Sequence, residues 1–172
     1  MGIWDEQGRW CEEEESIAQA AISYFDNIYR SSHPSWIEEV TEAIPSMVID
    51  EMNESLRREF TRDEVVVALK QIHPNKALGP DGMSAVFFQK HWSIVGNNII
   101  DMILNVLNHN IPIPELNKTN IFLIPKISNP KRMTNFRPIS LCNVVYKLIS
   151  KILVNRLKPL LPHIISENLH IR

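Results

Sequence analysis

Residues 123–141 read LIPKISNPKRMTNFRPISL. An apolar run that ends at Pro125 leads into a polar stretch, and a second short apolar run begins at Phe136. That is the pattern of a strand, a long loop and a returning strand. Asn129-Pro130 punctuates a turn inside the loop. Lys126, Lys131, Arg132 and Arg137 fall within twelve residues, in a chain whose net charge is −2. Arg137 precedes Pro138, which pushes its backbone toward an extended conformation. The stretch therefore reads as a loop and strand that hold positive charge in a set geometry, with an ordinary solvated hairpin as the alternative.

Working outward, TNIFLIPK (Thr119–Lys126) is the first strand, Ile127–Asn135 the loop and FRPI the return. Ser140 is placed to cap a last helix, LCNVVYKLISKILVNRL, whose apolar positions Leu141, Val145, Leu148 and Ile152 step by helical intervals. Lys147, Lys151 and Lys158 share its other side. The segment after it, KPLLPHIISENLHIR, is broken by prolines and predicts no further element. Upstream, Thr61 with Glu64 forms a capping box. Val65, Leu69 and Ile72 give that helix one apolar face, and Pro74 ends it. In NKALGPDGMS, Pro80 and Gly82 mark a type I turn. AVFFQKHW and NNIIDMILNVLNHN read as two helices split near Gly96.

The first part of the chain has a different character. IWDEQGRW suggests a small hairpin. In the helix that follows, Ile17, Ala20, Ala21, Tyr24, Phe25 and Ile28 recur at helical spacing, and Glu12–Glu15 suit its positive N-terminal end. Trp36, Val40 and Ile44 suggest a short helix stopped near Pro45, and residues 46–60 are weakly patterned. The fold class expected is α+β and predominantly helical, with one long β-hairpin and an acidic helical N-terminal extension.

Hydrophobic residues make up 44% and charged residues 22% of the 172, ordinary values for a globular chain. Cys11 and Cys142 stand far apart, so neither a disulfide framework nor a zinc motif is expected. His91 and His109 read as helix-surface or helix-end residues. An acidic N-terminus is unlike a secretion signal, and LCNVVYKLISKILV is interrupted by Lys147 and Lys151, so no membrane span is expected. Nothing in the chain discriminates nuclear from cytoplasmic residence. The charge is unevenly spread. Residues 1–69 hold 16 acids and 5 bases, a balance of −11, whereas residues 70–172 hold 4 and 13, a balance of +9. A basic half points to nucleic acid, although the two halves could also pair with each other.

Lys126 lies just before the loop and Arg137 just after it. An antiparallel pairing would let them face each other, a point charge beside a bidentate fork suited to phosphate. Two-metal phosphoryl transfer asks for converging carboxylates as well. From residue 70 onward there are only Asp81, Asp101, Glu115 and Glu167, far apart in sequence. Glu12–Glu15 occupy successive helix positions and cannot converge on one ion. No metal site and no catalytic residue is assigned.

NKALGPDGMSAVFFQKHW, ELNKTNIFLIPK and NFRPISLCNVVYKLISKILVNRLKPLLPHIISEN, in that order and spacing, resemble the N-terminal part of the reverse transcriptase of plant LINE-type (non-LTR) retrotransposons. The resemblance runs from about Glu12 to Asn168, and GRW to YFDNIYRSSHP looks like the connector after that family's endonuclease. It implies residues 1–60 as an acidic helical connector and 61–172 as partial fingers of a right-hand polymerase. Lys126 and Arg137 fall where the family's fingers hairpin contacts the incoming nucleotide and template. Lys131 and Arg132 lie at the hairpin tip, and Lys147 and Lys151 are available to a nucleic-acid backbone. RNA template or RNA/DNA hybrid is the implied partner, with a deoxynucleoside triphosphate and Mg2+ in the intact enzyme. Leu78 stands where the family usually has proline. The palm aspartates are not found, so the expectation is a truncated fragment, inactive alone. The rival expectations are a residual RNA-binding module and a non-functional fragment whose last helix exposes its apolar side to partners.

Overall fold

The computed structural model describes residues 2–32, 37–42 and 47–165. Trp36, Ile44, Pro45 and Glu167 lie outside the described residues. The elements in chain order are β1 (Ile3–Trp4), β2 (Trp10–Cys11), α1 (Glu14–Tyr29), α2 (Ile37–Glu42), α3 (Asp50–Arg57) and α4 (Arg62–Gln71). There follow α5 (Ala85–Lys90), α6 (Trp92–His109), β3 (Thr119–Pro125), β4 (Phe136–Cys142), α7 (Val144–Leu157) and α8 (Leu161–Ile164). The protein is α+β and mostly helical. Among the described residues no helix is long and apolar enough to cross a membrane. The chain forms two compact units, residues 1–44 with 121–140, and residues 45–120 with 141–172.

In the first unit β1 and β2 form the expected small hairpin, with Ile3 opposite Cys11 and Trp4 opposite Trp10. Gly8 takes φ +77°, a left-handed turn conformation that glycine adopts without a Cβ penalty. Asp5 organises the turn. Its carboxylate accepts the backbone N–H groups of Gln7 and Arg9 and the Arg9 side chain at 2.8–3.0 Å. The Arg9 backbone N–H is the main reason its pKa lies below the ordinary carboxylate value. α1 begins with Glu14 and Glu15 in its first turn, as expected of acids at a helix N-terminus. The apolar positions of α1 are at most half-buried, and Ile28 is exposed. Ile3, Pro130 and Met133 are buried in this unit.

The second unit holds the main core. Val65, Ala68 and Leu69 of α4 pack with Val144, Val145, Leu148 and Ile152 of α7, joined by Phe88 of α5 and by Ile100 and Ile103 of α6. The Thr61–Glu64 capping box forms as read from the sequence. At the other end of α4, the Gln89 amide donates to the carbonyls of Leu69 (3.1 Å) and Ile72 (2.9 Å), satisfying groups the helix leaves open. Arg156 of α7 has a side chain only 5% exposed. It donates to both Glu64 carboxylate oxygens at 2.7 and 2.9 Å and to the carbonyls of Leu56, Arg58 and Glu59.

Four local expectations are corrected. The break between α5 and α6 is at His91 (φ −105°, ψ 20°), and Gly96 lies inside α6 and is buried. Its role there is steric, because a Cβ on it would stand 2.9 Å from the Trp92 ring. Ser140 and Leu141 belong to β4, so α7 starts only at Val144, with Asn143 as its cap residue. α8 adds one short helical turn after α7, with proline in its first turn, where the missing N–H costs little. The apolar side of α7, which the rival reading would leave open, is core, and it is Tyr146, Leu153, Val154 and Leu157 that are exposed.

Candidate nucleic-acid interface

β3 and β4 pair as a two-stranded ribbon of seven residues each. At the loop end the Lys126 N–H donates to the Asn135 carbonyl at 2.8 Å. At the open end the Thr119 hydroxyl and Cys142 thiol are 3.5 Å apart. One antiparallel register satisfies both contacts and sets Ile124 opposite Arg137. In that register Pro125 and Pro138 occupy the sites whose N–H would point away from the partner strand, so neither removes a ladder bond. Proline on both outer edges also discourages a third strand.

Side chains alternate along a strand, so Lys126 shares a face with Phe122, Ile124, Arg137 and Ile139. Lys126 and Arg137 are thus diagonal rather than directly facing, about 7–8 Å apart at the backbone. Phe122, Ile124 and Ile139 are all exposed. The Lys126 ammonium donates to the Thr134 carbonyl at 2.9 Å, while Arg137 is exposed and points no donor at any described residue.

The loop between the strands is tied by one residue. The Asn135 amide oxygen accepts the backbone N–H groups of Lys131 (3.2 Å) and Arg132 (3.1 Å), and the Asn135 N–H donates to the Arg132 carbonyl at 2.9 Å. Pro130 and Met133 turn inward and are buried, which leaves the Lys131 and Arg132 side chains outward and exposed. β1 adds a further restraint. The Trp4 N–H donates to the Lys131 carbonyl at 2.7 Å, and Trp4 forms an isolated parallel bridge with Arg132.

Lys147 and Lys151 belong to the other unit. The Lys147 ammonium donates to the Ala77 carbonyl at 2.5 Å, and Lys151 is half-buried on α7. Lys147 thereby helps to hold the loop that contains the GPDG turn. That turn closes with the Gly82 N–H on the Gly79 carbonyl at 3.1 Å, and Gly82 has φ +69°. The buried Asn143 side chain accepts the Asp81 N–H at 3.2 Å instead of capping α7. Gly79 presses against the Asn143 backbone so closely that a Cβ would lie 2.6 Å from its Cα. Gly79→Ala is therefore expected to destabilise the chain by roughly 1–3 kcal/mol, read as a lower urea midpoint at unchanged slope.

Among the described residues, the carboxylates from residue 70 onward do not gather near these cations. Asp101 pairs with Arg62 at 3.3 Å, Glu115 with Lys118 at 2.7 Å, and the Asp81 carboxylate accepts the Met83 N–H within its own turn. Among the described residues no three metal-ligating side chains come together. These donors do not fit the magnesium pair that the polymerase resemblance implies, because each is committed in a different element.

No family model matches the chain. Over 168 residues it is 28% identical to the Transposon TX1 uncharacterized 149 kDa protein of Xenopus laevis. The chain is similar to a transposon protein. The likeness covers 96% of this chain, basic hairpin included, but the chain spans only 13% of the length of that relative.

Proposed function

We propose that this chain is the fingers portion of an RNA-directed DNA polymerase of a LINE-type non-LTR retrotransposon, of the plant type its motifs resemble, and that it binds single-stranded RNA or an RNA/DNA hybrid without polymerising. One observation carries the reading: Lys126 and Arg137 stand on one face of a proline-guarded ribbon whose loop is held by Asn135. Lys126 offers a compact charge and Arg137 a planar fork, a combination suited to the phosphates of a template or of an incoming deoxynucleoside triphosphate. Lys131 and Arg132 extend the cationic surface along the tip, and Lys151 is available to a backbone from α7. The transposon relative supports the origin, and the motif order supports the enzyme class.

Fluorescence anisotropy against a short single-stranded RNA tests it. Three or four phosphate contacts give a slope of roughly −2 to −3 in log K against log salt, at about −0.7 for each contact. A flat dependence, or no binding at about 50 mM salt, overturns the proposal. In a primer-extension assay this chain alone is expected to add no nucleotide, since its described carboxylates do not converge.

A further inference from the structure

A cleft of about 670 Å³ opens in the first unit. β1, α1 and the turn after Lys131 build it. Trp4 and Tyr24 supply aromatic surface, Arg132 a cation and Thr134 a hydroxyl. In a parallel bridge the paired residues project to the same side, so the bond between β1 and the hairpin tip sets the Trp4 ring beside the Arg132 side chain. Trp4 is 41% exposed and also contacts Trp10, with ring centroids 5.0 Å apart. An open indole, a second aromatic wall and an adjacent guanidinium match no demand of the core.

We infer that this cleft takes an unpaired base of single-stranded nucleic acid, with its ring against Trp4 and Tyr24 and its flanking phosphate on Arg132. The inference rests on the nucleic-acid reading above and adds to it a stacking site outside the β3–β4 ribbon. Aromatic platforms beside cations are how single strands are held without sequence readout, because every base has a π-face. The acids on the lining do not oppose this. The Asp5 side chain is only 6% exposed, with its oxygens occupied by Gln7 and Arg9. Glu6 accepts the Asn27 amide at 3.0 Å and is suited to accept from base N–H groups as well. A base within a duplex is stacked and paired, so the cleft discriminates single strands from duplexes.

The test compares the full chain with its Trp4→Ala, Trp4→Phe and Arg132→Ala variants, titrated with a labelled ten-nucleotide RNA and with the same sequence as a duplex. Trp4→Ala is expected to weaken single-strand binding roughly 5- to 100-fold, with Trp4→Phe restoring most of it and duplex binding unchanged. Arg132→Ala keeps the Trp4 backbone bonds, so a loss there that is confined to the single strand, with duplex binding unchanged, supports the cleft even if Trp4→Ala misfolds. Wild-type single-strand affinity in Trp4→Ala, or in Arg132→Ala where Trp4→Ala misfolds, overturns the inference while leaving the hairpin reading intact. An equal loss on single strand and duplex also overturns it. If the unaltered chain binds no RNA, the hairpin reading falls first.

Discussion

Replacing Arg156 with alanine is expected to cost about 3–5 kcal/mol of stability, the range for removing one partner of a buried ion pair. The guanidinium makes more bonds than any other side chain described. It spans both oxygens of Glu64, reaches the carbonyls of Leu56, Arg58 and Glu59, and lies 3.5 Å over the Phe60 ring. Those groups close the junction between α3 and α4, so this one side chain of α7 fastens the start of α4. Arg156→Lys is expected to recover only a minor part of the loss, because a single ammonium reproduces neither the fork nor the ring contact. Urea denaturation gives the answer. A change below about 1 kcal/mol would show that the pair behaves like an exposed one.

The same pair gives the chain an acid sensitivity. Glu64 has its pKa lowered from 4.5 to about 2, first by the Arg156 hydrogen bonds and then by the Thr61 backbone N–H, against a desolvation that raises it. A carboxyl whose folded pKa is depressed contributes stability that is present in full above its unfolded value. That contribution is lost as the pH falls from about 4.5 toward about 2. Glu64→Gln should therefore lower stability at neutral pH and flatten the decline across that window. An unchanged acid limb would contradict the assignment.

The second large effect is expected on binding. Lys126→Ala with Arg137→Ala removes both cations of the ribbon face while leaving its backbone untouched. Both side chains are exposed, and among the described residues Lys126 gives up one bond, that to the Thr134 carbonyl, so thermal stability should hardly move. Affinity for single-stranded RNA near 100 mM salt should fall by roughly five- to thirtyfold, on the basis of about 1–2 kcal/mol for two charge-assisted contacts. Arg137→Lys keeps the charge but loses the planar fork, and an intermediate loss is expected.

Much of this fold is legible in the sequence where the signals are local. Two short apolar runs, one ended by Pro125 and the other begun at Phe136, mark the ribbon, Thr61 with Glu64 marks the start of α4, and Gly79 to Gly82 mark a turn. The misreadings come from tertiary demand. Gly96 resembles a helix break but is needed small because the Trp92 ring covers it. Ser140 resembles a cap, yet strand pairing extends past it and hands the cap position to Asn143, whose side chain serves the distant Asp81 turn. Arg156 gives no signal at all, since Glu64, its partner, is 92 residues away. At the site, the clustering of Lys126, Lys131, Arg132 and Arg137 is visible in the sequence. That Trp4 would be bonded to Lys131 across more than a hundred residues is not.

Phosphate contact by the ribbon is tested most directly by a paired salt titration of single-stranded RNA binding, with the unaltered chain and the Lys126→Ala, Arg137→Ala double variant. With two fewer phosphates neutralised on the strand, the slope of log K against log salt should become shallower by about 1.4, at about 0.7 for each phosphate. Two parallel lines, whatever their offset, would mean that these cations touch no phosphate, and the hairpin would then be a solvated ribbon rather than a nucleic-acid interface.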